Sequence, residues 1–296
     1  MNQKNVDITI QNYIKSKQNE EFMLKCQYTA RYYFNKNEKL NLFITLGCIA
    51  SSLTILINTQ NYFISIGLPL AIDLICLWLQ SCSAKAITNA ANLRKYFDAN
   101  VLDINANEYS EDNLRELREL VFEVIEKNSK KAKIEIKNTG HDNPPGVYDW
   151  YEFHQDYPGI EAKFECQRQN AWWNKEMISG RIKMYFISII LIIILMFVLI
   201  KILNIPIISF RFLLCSALII RIIERCHALH SYMKSSSSID VAIEMTQNSK
   251  TEPNIAYLQR KIDERRAINV VEVNLIHKWK ANYLSNKYKK ITQKNL

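Results

Sequence analysis

Four long apolar runs divide the chain, at residues 42–57, 62–80, 184–203 and 205–223. A four-residue linker separates the first two runs, and a single asparagine separates the last two. A helix crosses the hydrocarbon core of a bilayer with about 20 apolar residues. The pattern therefore predicts four transmembrane helices arranged as two tight hairpins. The third run has almost no polar face, which argues against a buried hairpin of a soluble protein.

Basic residues in the polar segments predict how the chain is oriented. Lysine and arginine number 7 in the N-terminal arm, 15 in the central segment and 13 in the C-terminal segment, and neither hairpin linker carries any. Positively charged segments favour the cytoplasmic side of a membrane. We therefore expect all three segments, with both termini, in the cytoplasm and both linkers outside.

These patterns predict a mostly α integral membrane protein with two transmembrane helical hairpins and a helical cytoplasmic domain. The N-terminal arm, the central segment and the C-terminal segment together form that domain. The expected parts are a cytoplasmic helical arm (1–41), a first hairpin (42–80), a central helical segment (81–183), a second hairpin (184–223) and a basic helical C-terminal segment (224–296).

Local signals add detail to the cytoplasmic segments. Ser110 is a good N-cap for an amphipathic helix that begins with acidic residues, and loops are expected at 103–110 and 138–147. From Glu161 the chain reads as a helix that runs directly into the third apolar run. The serine-rich stretch 234–238 suggests a polar link, and a long basic helix is expected from about Glu252.

Charged residues inside the apolar runs are costly and call for partners. Asp73 lies in the second run and Arg211 in the fourth, at depths that differ by roughly 6 Å at about 1.5 Å per residue. We hypothesise that these two residues pair between the hairpins. Alternatively, Arg211 extends outward to the lipid headgroups and Asp73 is neutral. Arg221 is also expected to reach toward the headgroups, and Pro69 to kink the second helix.

Composition narrows the function classes only slightly. The formal net charge of +9 suits an anionic partner, either a lipid leaflet or a nucleotide. The seven cysteines have no paired spacing, which is typical of reduced thiols in a protein that faces the cytosol. The first forty residues are polar, so no cleavable signal peptide is visible.

Catalytic and metal-binding motifs are not recognisable in the sequence. It has only six glycines and contains neither a nucleotide-binding glycine loop nor a GxSxG or HExxH motif. Cys226, His227 and His230 read better as an ordinary helix surface than as metal ligands. His141 and His154 stand in a loop with nothing to orient them as an acid–base pair. We therefore expect a protein that is not an enzyme and holds no metal.

Residues 166–174 form the most distinctive cytoplasmic stretch, CQRQNAWWN. On a helix, Arg168 shares a face with Trp172, as Gln169 does with Trp173. Indole rings, guanidinium groups and amides together suit a nucleotide, since they offer stacking, phosphate pairing and base-edge contacts. The alternative is that the tryptophans anchor the chain at the membrane interface.

Three ordered motifs resemble the SMODS-associated four-transmembrane effector family of bacterial anti-phage systems. The first comprises residues 14–19 and 27–33 of the arm, the second is RKYFD at 94–98, and the third joins DWY at 149–151 to CQRQN at 166–170 and Trp173. The resemblance covers nearly the whole chain, including the order of hairpin, domain and hairpin. A looser similarity extends into the basic C-terminal stretch.

This resemblance implies a role in cyclic-oligonucleotide (CBASS-type) signalling at the bacterial inner membrane. A neighbouring nucleotidyltransferase would make the cyclic oligonucleotide, which would activate or restrain the effector from the cytoplasmic side; no other cofactor, DNA or RNA is expected. The effector would then form homo-oligomers and disrupt the bilayer or open a pore. The residues expected to contact the ligand are Arg168, Asn170, Trp173, Gln167, Gln18, Asn19 and Arg31.

Two other functions remain open at the level of sequence. A constitutive or differently gated small ion channel or transporter would use Asp73 and Arg211. A membrane scaffold would recruit a partner through the basic C-terminal helix.

Overall fold

A computed structural model of the protein describes residues 3–54, 63–105, 109–202, 217–270, 283–284 and 286–291. Of the residues that the structure describes, 83% are helical and none lies in a β-strand. This outcome confirms the mostly α prediction. The main helices are α1 (Gln3–Gln18), α2 (Glu21–Thr54), α3 (Leu68–Val101), α4 (Glu111–Lys127), α5 (Ser129–Glu135), α6 (Ile160–Ile202), α7 (Ala217–Asn248) and α8 (Glu252–Arg266).

Four of the described helices, α2, α3, α6 and α7, extend without interruption from a polar segment of the chain into an apolar run. In α2 and α3, the run joins a polar half that belongs to a buried core, and the two helices pack antiparallel along their length. Their approach is close at Gly47, where an added Cβ would collide with Sγ of Cys76. Helix α6 runs from Ile160 to Ile202, which confirms that the helix beginning near Glu161 continues into the third run.

Large apolar side chains lie exposed along the membrane halves of these helices. Leu42 and Phe43 of α2 are 58% and 59% exposed, and Trp78 of α3 and Phe186 of α6 are about equally open. Leu68–Val101 and Ile160–Leu195 are long and apolar enough to cross a bilayer. An apolar surface of this extent needs a nonpolar surrounding, as expected of a membrane protein. The fourth predicted run lies mostly outside the described residues.

Outside the apolar runs, the helices form a polar domain with a buried core, to which α1, α4, α5, α8 and the polar parts of α2, α3, α6 and α7 contribute. Ser110 accepts a hydrogen bond from the Asn113 amide and caps α4, as predicted. Thr251 caps α8 in the same way, through the Asn254 amide. The predicted loop at 138–147 is present, and it is closed by a bridge between Thr139 and Tyr148.

One local prediction was wrong. The serine-rich stretch 234–238 is not a link but part of α7. Ser237 donates to the carbonyl of Met233 and Ser238 to that of Ser235, so these hydroxyls are satisfied within the helix.

Pro69 lies in the first turn of α3 and has helical structure on both sides. A π-helical turn at Phe63–Gly67 runs directly into α3. Proline and π-helical turns are both common causes of helix bends, and the kink at Pro69 stays a prediction.

Candidate functional site

A cavity of about 250 Å³ opens in the polar domain. Its walls come from α2, α3 and α6, from the loop at 140–154, from the last turn of α8 and from Tyr288. The cavity therefore lies where the three predicted cytoplasmic segments meet. The side of α6 that it uses contributes Gln169, Asn170, Trp173, Asn174, Met177 and Arg181.

Four arginines line this cavity, and they come from four different helices. They are Arg31 of α2, Arg94 of α3, Arg181 of α6 and Arg266 of α8, and two carboxylates, Asp149 and Glu152, oppose them. The cavity wall thus carries more positive than negative charge. Guanidinium groups bind phosphate oxygens in bidentate geometry, so this arrangement suits an anionic ligand.

Aromatic rings form much of the remaining surface. Trp150 lies flat against the guanidinium of Arg94, whose central carbon is 3.9 Å from the ring centroid. The other aromatic side chains of the lining are Phe34, Tyr148, Tyr151, Trp173 and Tyr288. Ring faces beside guanidinium groups can stack with a planar base. The cavity therefore combines the two kinds of contact that a nucleotide requires.

The N-terminal arm holds the loop that forms one wall. Gln18 is fully buried and exchanges two hydrogen bonds with the backbone of Tyr151, donating from Nε2 and accepting at Oε1. Asn19 makes a similar pair with Asp149, donating to its carboxylate and accepting from its amide. Asp149 has a φ of 50°, a left-handed conformation that is unfavourable for a non-glycine residue. The amide of Asn19 helps to stabilise it.

A buried polar cluster lies directly behind the cavity. The Asp98 carboxylate accepts hydrogen bonds from the Tyr151 hydroxyl at 2.6 Å, from Gln259 Nε2 at 3.0 Å and from Arg266 Nη1 at 2.6 Å. Burial, and then the nearby Asp98 charge, raise the pKa of Tyr151 well above its usual value. The cluster joins α3, the loop and α8, so it fixes two cavity walls relative to each other.

The structure divides the seven predicted ligand residues into two groups. Arg31, Asn170 and Trp173 line the cavity. Gln18 and Asn19 hold its loop instead of lining it. Gln167 is buried, and its Nε2 donates to the Ile255 carbonyl and to Gln259. Arg168 pairs with Glu165 at 2.6 Å and lies outside the cavity.

Several cavity residues were not among those predicted. Arg94 and Trp150 stand within two of the motifs that carried the family resemblance, so a signal for them was present in the sequence. Arg181 and Arg266 lie in stretches with no distinctive pattern, and only the packing of α6 and α8 brings them to the cavity. His141 does have an orienting partner, because its Nε2 lies 2.7 Å from Oε1 of Glu152.

The predicted pair of Asp73 and Arg211 cannot be compared with the structure, because Arg211 lies outside the described residues. Oδ1 of Asp73 is buried and has no hydrogen-bond partner in the described residues of the chain.

Arg221 does not extend to the headgroups as expected. It is 4% exposed, and it donates to Oδ1 of Asn41 and to Glu224, which satisfies its charge inside the protein.

Comparison with known proteins gives one match. The sequence model of the SMODS-associating 4TM effector domain matches residues 12–290. No curated protein and no solved structure matches the chain.

Proposed function

The chain belongs to the family of SMODS-associating 4TM effector domains, CBASS-type membrane effectors of anti-phage defence, and we propose that a cyclic oligonucleotide bound in the cytoplasmic cavity controls it. The protein is then a switch and not an enzyme. Its ligand is made by a partner nucleotidyltransferase of the same system. The response is assembly of several copies in the bacterial inner membrane, followed by loss of the permeability barrier.

The observation that supports this proposal most directly is that four arginines and six phenylalanine, tyrosine or tryptophan rings line one cavity away from the apolar runs. A cyclic oligonucleotide presents several phosphodiesters and flat bases at fixed distances. Arginines from four helices can pair with such phosphates only when those helices keep their relative positions. A ligand bound there therefore favours one arrangement of the domain over others, which is the requirement for a ligand-driven shift in population.

Helix α6 supplies a direct route from the cavity to the membrane. Asn170, Trp173, Asn174 and Arg181 line the cavity from the same unbroken helix that enters the third apolar run. A helix rises about 1.5 Å per residue, so its 43 residues extend over roughly 65 Å. Ligand contacts at one end can bias the tilt or rotation of the other end.

Titration calorimetry with a panel of cyclic di- and trinucleotides on the detergent-purified protein tests the proposal. We expect one compound to bind tightly and Trp173→Ala to weaken it by about 5- to 150-fold, since stacking on an aromatic ring contributes about 1–3 kcal/mol per base. Arg168→Ala is the control from the same helix. We expect Arg168→Ala to bind the compound as tightly as the wild type, because Arg168 lies outside the cavity. Weaker binding by this variant would indicate that the ligand contacts follow the sequence motif and not the cavity.

Binding of no compound in the panel by the folded protein would contradict the proposal. So would equal weakening by Trp173→Ala and Arg168→Ala.

One observation favours a second candidate, a channel that conducts without a nucleotide. Oδ1 of Asp73 is buried in the apolar half of α3 without a hydrogen-bond partner among the described residues, and intramembrane carboxylates often mark ion paths. Ion flux from liposomes in the absence of any nucleotide, lost in Asp73→Asn, would support it. The scaffold alternative gains nothing comparable, because Arg265 of the basic helix is buried and Arg266 pairs with Asp98.

A further inference from the structure

A second pocket, of about 340 Å³, lies on the neighbouring face of α2, next to the cavity. Lys36, Lys39 and Tyr32 of α2 line it, together with Lys131 and Glu135 of α5. It is distinct in position and composition from the cavity described above, because no tryptophan and a single carboxylate contribute to its lining. Nothing in the proposed function uses it.

The pocket carries a surplus of positive charge. Lys36 and Lys39 are exposed and have no carboxylate partner among the residues that the structure describes. The acid in its lining, Glu135, is 5% exposed and lies between two cations, 3.5 Å from Lys131 and 3.8 Å from Arg31. Its charge is therefore already balanced, and the lysines at the rim are available to an anion.

The pocket also lies at the level where the membrane begins. Lys39 precedes Leu42, the first large exposed apolar residue of α2, by three residues, or about 4.5 Å along the axis. Helix α4 packs against α2. Tyr109, just before α4, contacts Tyr96 of α3, which in turn contacts Phe22 in the first turn of α2. Beyond the end of α4, Lys131 lines the pocket, so α4 follows α2 from its first turn toward the pocket.

An apolar path leads away from the pocket along α2. Leu42, Phe43 and Leu46 are 58%, 59% and 51% exposed and follow directly after Lys39. A free phosphate ion would use the lysines but not these side chains. A phospholipid would use both, because its phosphate sits at the headgroup level while its acyl chains lie against exposed apolar surface.

We propose that this pocket binds the headgroup of an anionic phospholipid from the cytoplasmic leaflet. Lys36, Lys39 and Lys131 pair with the phosphate, and the hydroxyl of Tyr32 is available to a glycerol headgroup. The acyl chains run along Leu42 and Phe43. The argument for this lipid site does not use the nucleotide cavity, so the lipid site and the proposed function can be tested separately.

Native mass spectrometry of the full-length protein in detergent tests the site, with added 1-palmitoyl-2-oleoyl phosphatidylglycerol as the probe. The test variant is Lys36→Gln/Lys39→Gln/Lys131→Gln. The matched control is Lys85→Gln/Lys183→Gln/Lys234→Gln, which removes the same charge from exposed lysines that flank other apolar runs and do not line the pocket. Phosphatidylcholine and inorganic phosphate form two further arms, and thermal unfolding shows that both variants are folded.

We expect one phosphatidylglycerol per chain to be retained in the wild type and in the control, and binding to weaken by at least about tenfold in the pocket variant, since each interfacial lysine contributes about 1 kcal/mol. We expect phosphatidylcholine to dissociate from the protein when the protein ions are activated by collision in the mass spectrometer. Equal weakening in both variants would overturn the proposal, because it indicates general attraction to anionic lipid. Displacement of the lipid by millimolar phosphate would overturn it in favour of a free-anion site.

Discussion

Single residues in this domain owe their roles to their partners more than to their chemical type. Gln18 and Gln167 have the side chain that suits a base edge, and the motif made both of them ligand candidates. In the structure their amides instead bond to the backbone of Tyr151 and of Ile255. A sequence shows which residues can make hydrogen bonds, but the partner is set by long-range packing. Asn170 and Trp173 reach the cavity because they lie on the one side of α6 that faces it.

Asp98 is the residue on which the rear of the cavity depends. It is 1% exposed and accepts hydrogen bonds from Tyr151, Gln259 and Arg266. Asp98→Ala would remove the nearer of the two carboxylates that pair with Arg266, and it would leave the buried Tyr151 hydroxyl without its acceptor. Loss of one member of a buried pair costs about 3–5 kcal/mol, so we expect a large fall in the free energy of unfolding, measured by thermal or chemical denaturation in detergent.

The control for this change is Asp240→Ala. Asp240 pairs with Lys175 at 2.9 Å, but both side chains are about half exposed. Exposed pairs contribute roughly 0–1 kcal/mol, so the variant should unfold close to the wild type. Similar losses in the two variants would show that Asp98 is no more important than a surface acid.

Asp263 predicts a pH dependence of stability. Burial raises its pKa from 3.8 to about 6, against the opposing effect of Arg266. Between pH 4 and 6 the folded state keeps a proton that the unfolded state has released. Stability therefore falls as the pH rises through this range, by up to about 3 kcal/mol. We expect the midpoint of thermal unfolding to drop less between pH 5 and 7.5 in Asp263→Asn than in the wild type. An equal drop would show that Asp263 titrates normally in the folded protein.

At the scale of elements, hydrophobic period and capping signals predicted most of the helices. The N-cap at Ser110 and the junction of the third apolar run with the helix before it were both readable, because each depends on residues close together in sequence. The serine-rich stretch 234–238 was predicted wrongly because that prediction also used only residues close together in sequence. Isolated serines favour turns, but packing of the flanking turns of α7, where Tyr232 and Ile239 are buried, keeps the helix intact.

The continuity of α6 leads to a prediction about coupling. One alanine inserted between Lys183 and Met184 leaves the cavity residues in place but rotates the membrane half by about 100° and shifts it by about 1.5 Å. We expect ligand affinity to remain near the wild-type value while ligand-dependent dye release from liposomes is lost. The matched control is Lys183→Ala, which changes a side chain at the same place but does not rotate or shift the membrane half of α6. Unaltered dye release by the insertion variant would show that α6 is not the route.

At the scale of the whole molecule, segregation of apolar and charged residues predicted the helical membrane architecture, and it is also the basis for the orientation, which stays a prediction. The polar domain could not be predicted as closely, because its cavity is assembled from segments more than 200 residues apart, such as Arg31 and Arg266. An apolar run is recognised from neighbouring residues alone. A cavity between four helices depends on how they pack, and no local pattern encodes that.

The orientation gives a prediction that can be measured in cells. In a Cys226→Ser background, which removes an exposed native thiol, a membrane-impermeant maleimide should label Thr59→Cys in intact spheroplasts. It should label Lys137→Cys, an exposed position of the loop after α5, only after the membrane is opened. The positive-inside distribution is the physical reason. Labelling of Lys137→Cys in intact spheroplasts would mean the opposite orientation.

The cavity and the second pocket share a wall. Arg31 lines the one and Glu135 the other, with 3.8 Å between their charged groups, and Asn35 contributes to both. Two ligands that meet at a common wall influence each other's binding, and thermodynamic linkage makes that influence equal in both directions. A cell that alters the anionic lipid content of its membrane would thereby reset the concentration of messenger at which the protein responds. The messenger concentration that triggers the response would then depend on the lipid composition of the membrane as well as on the protein.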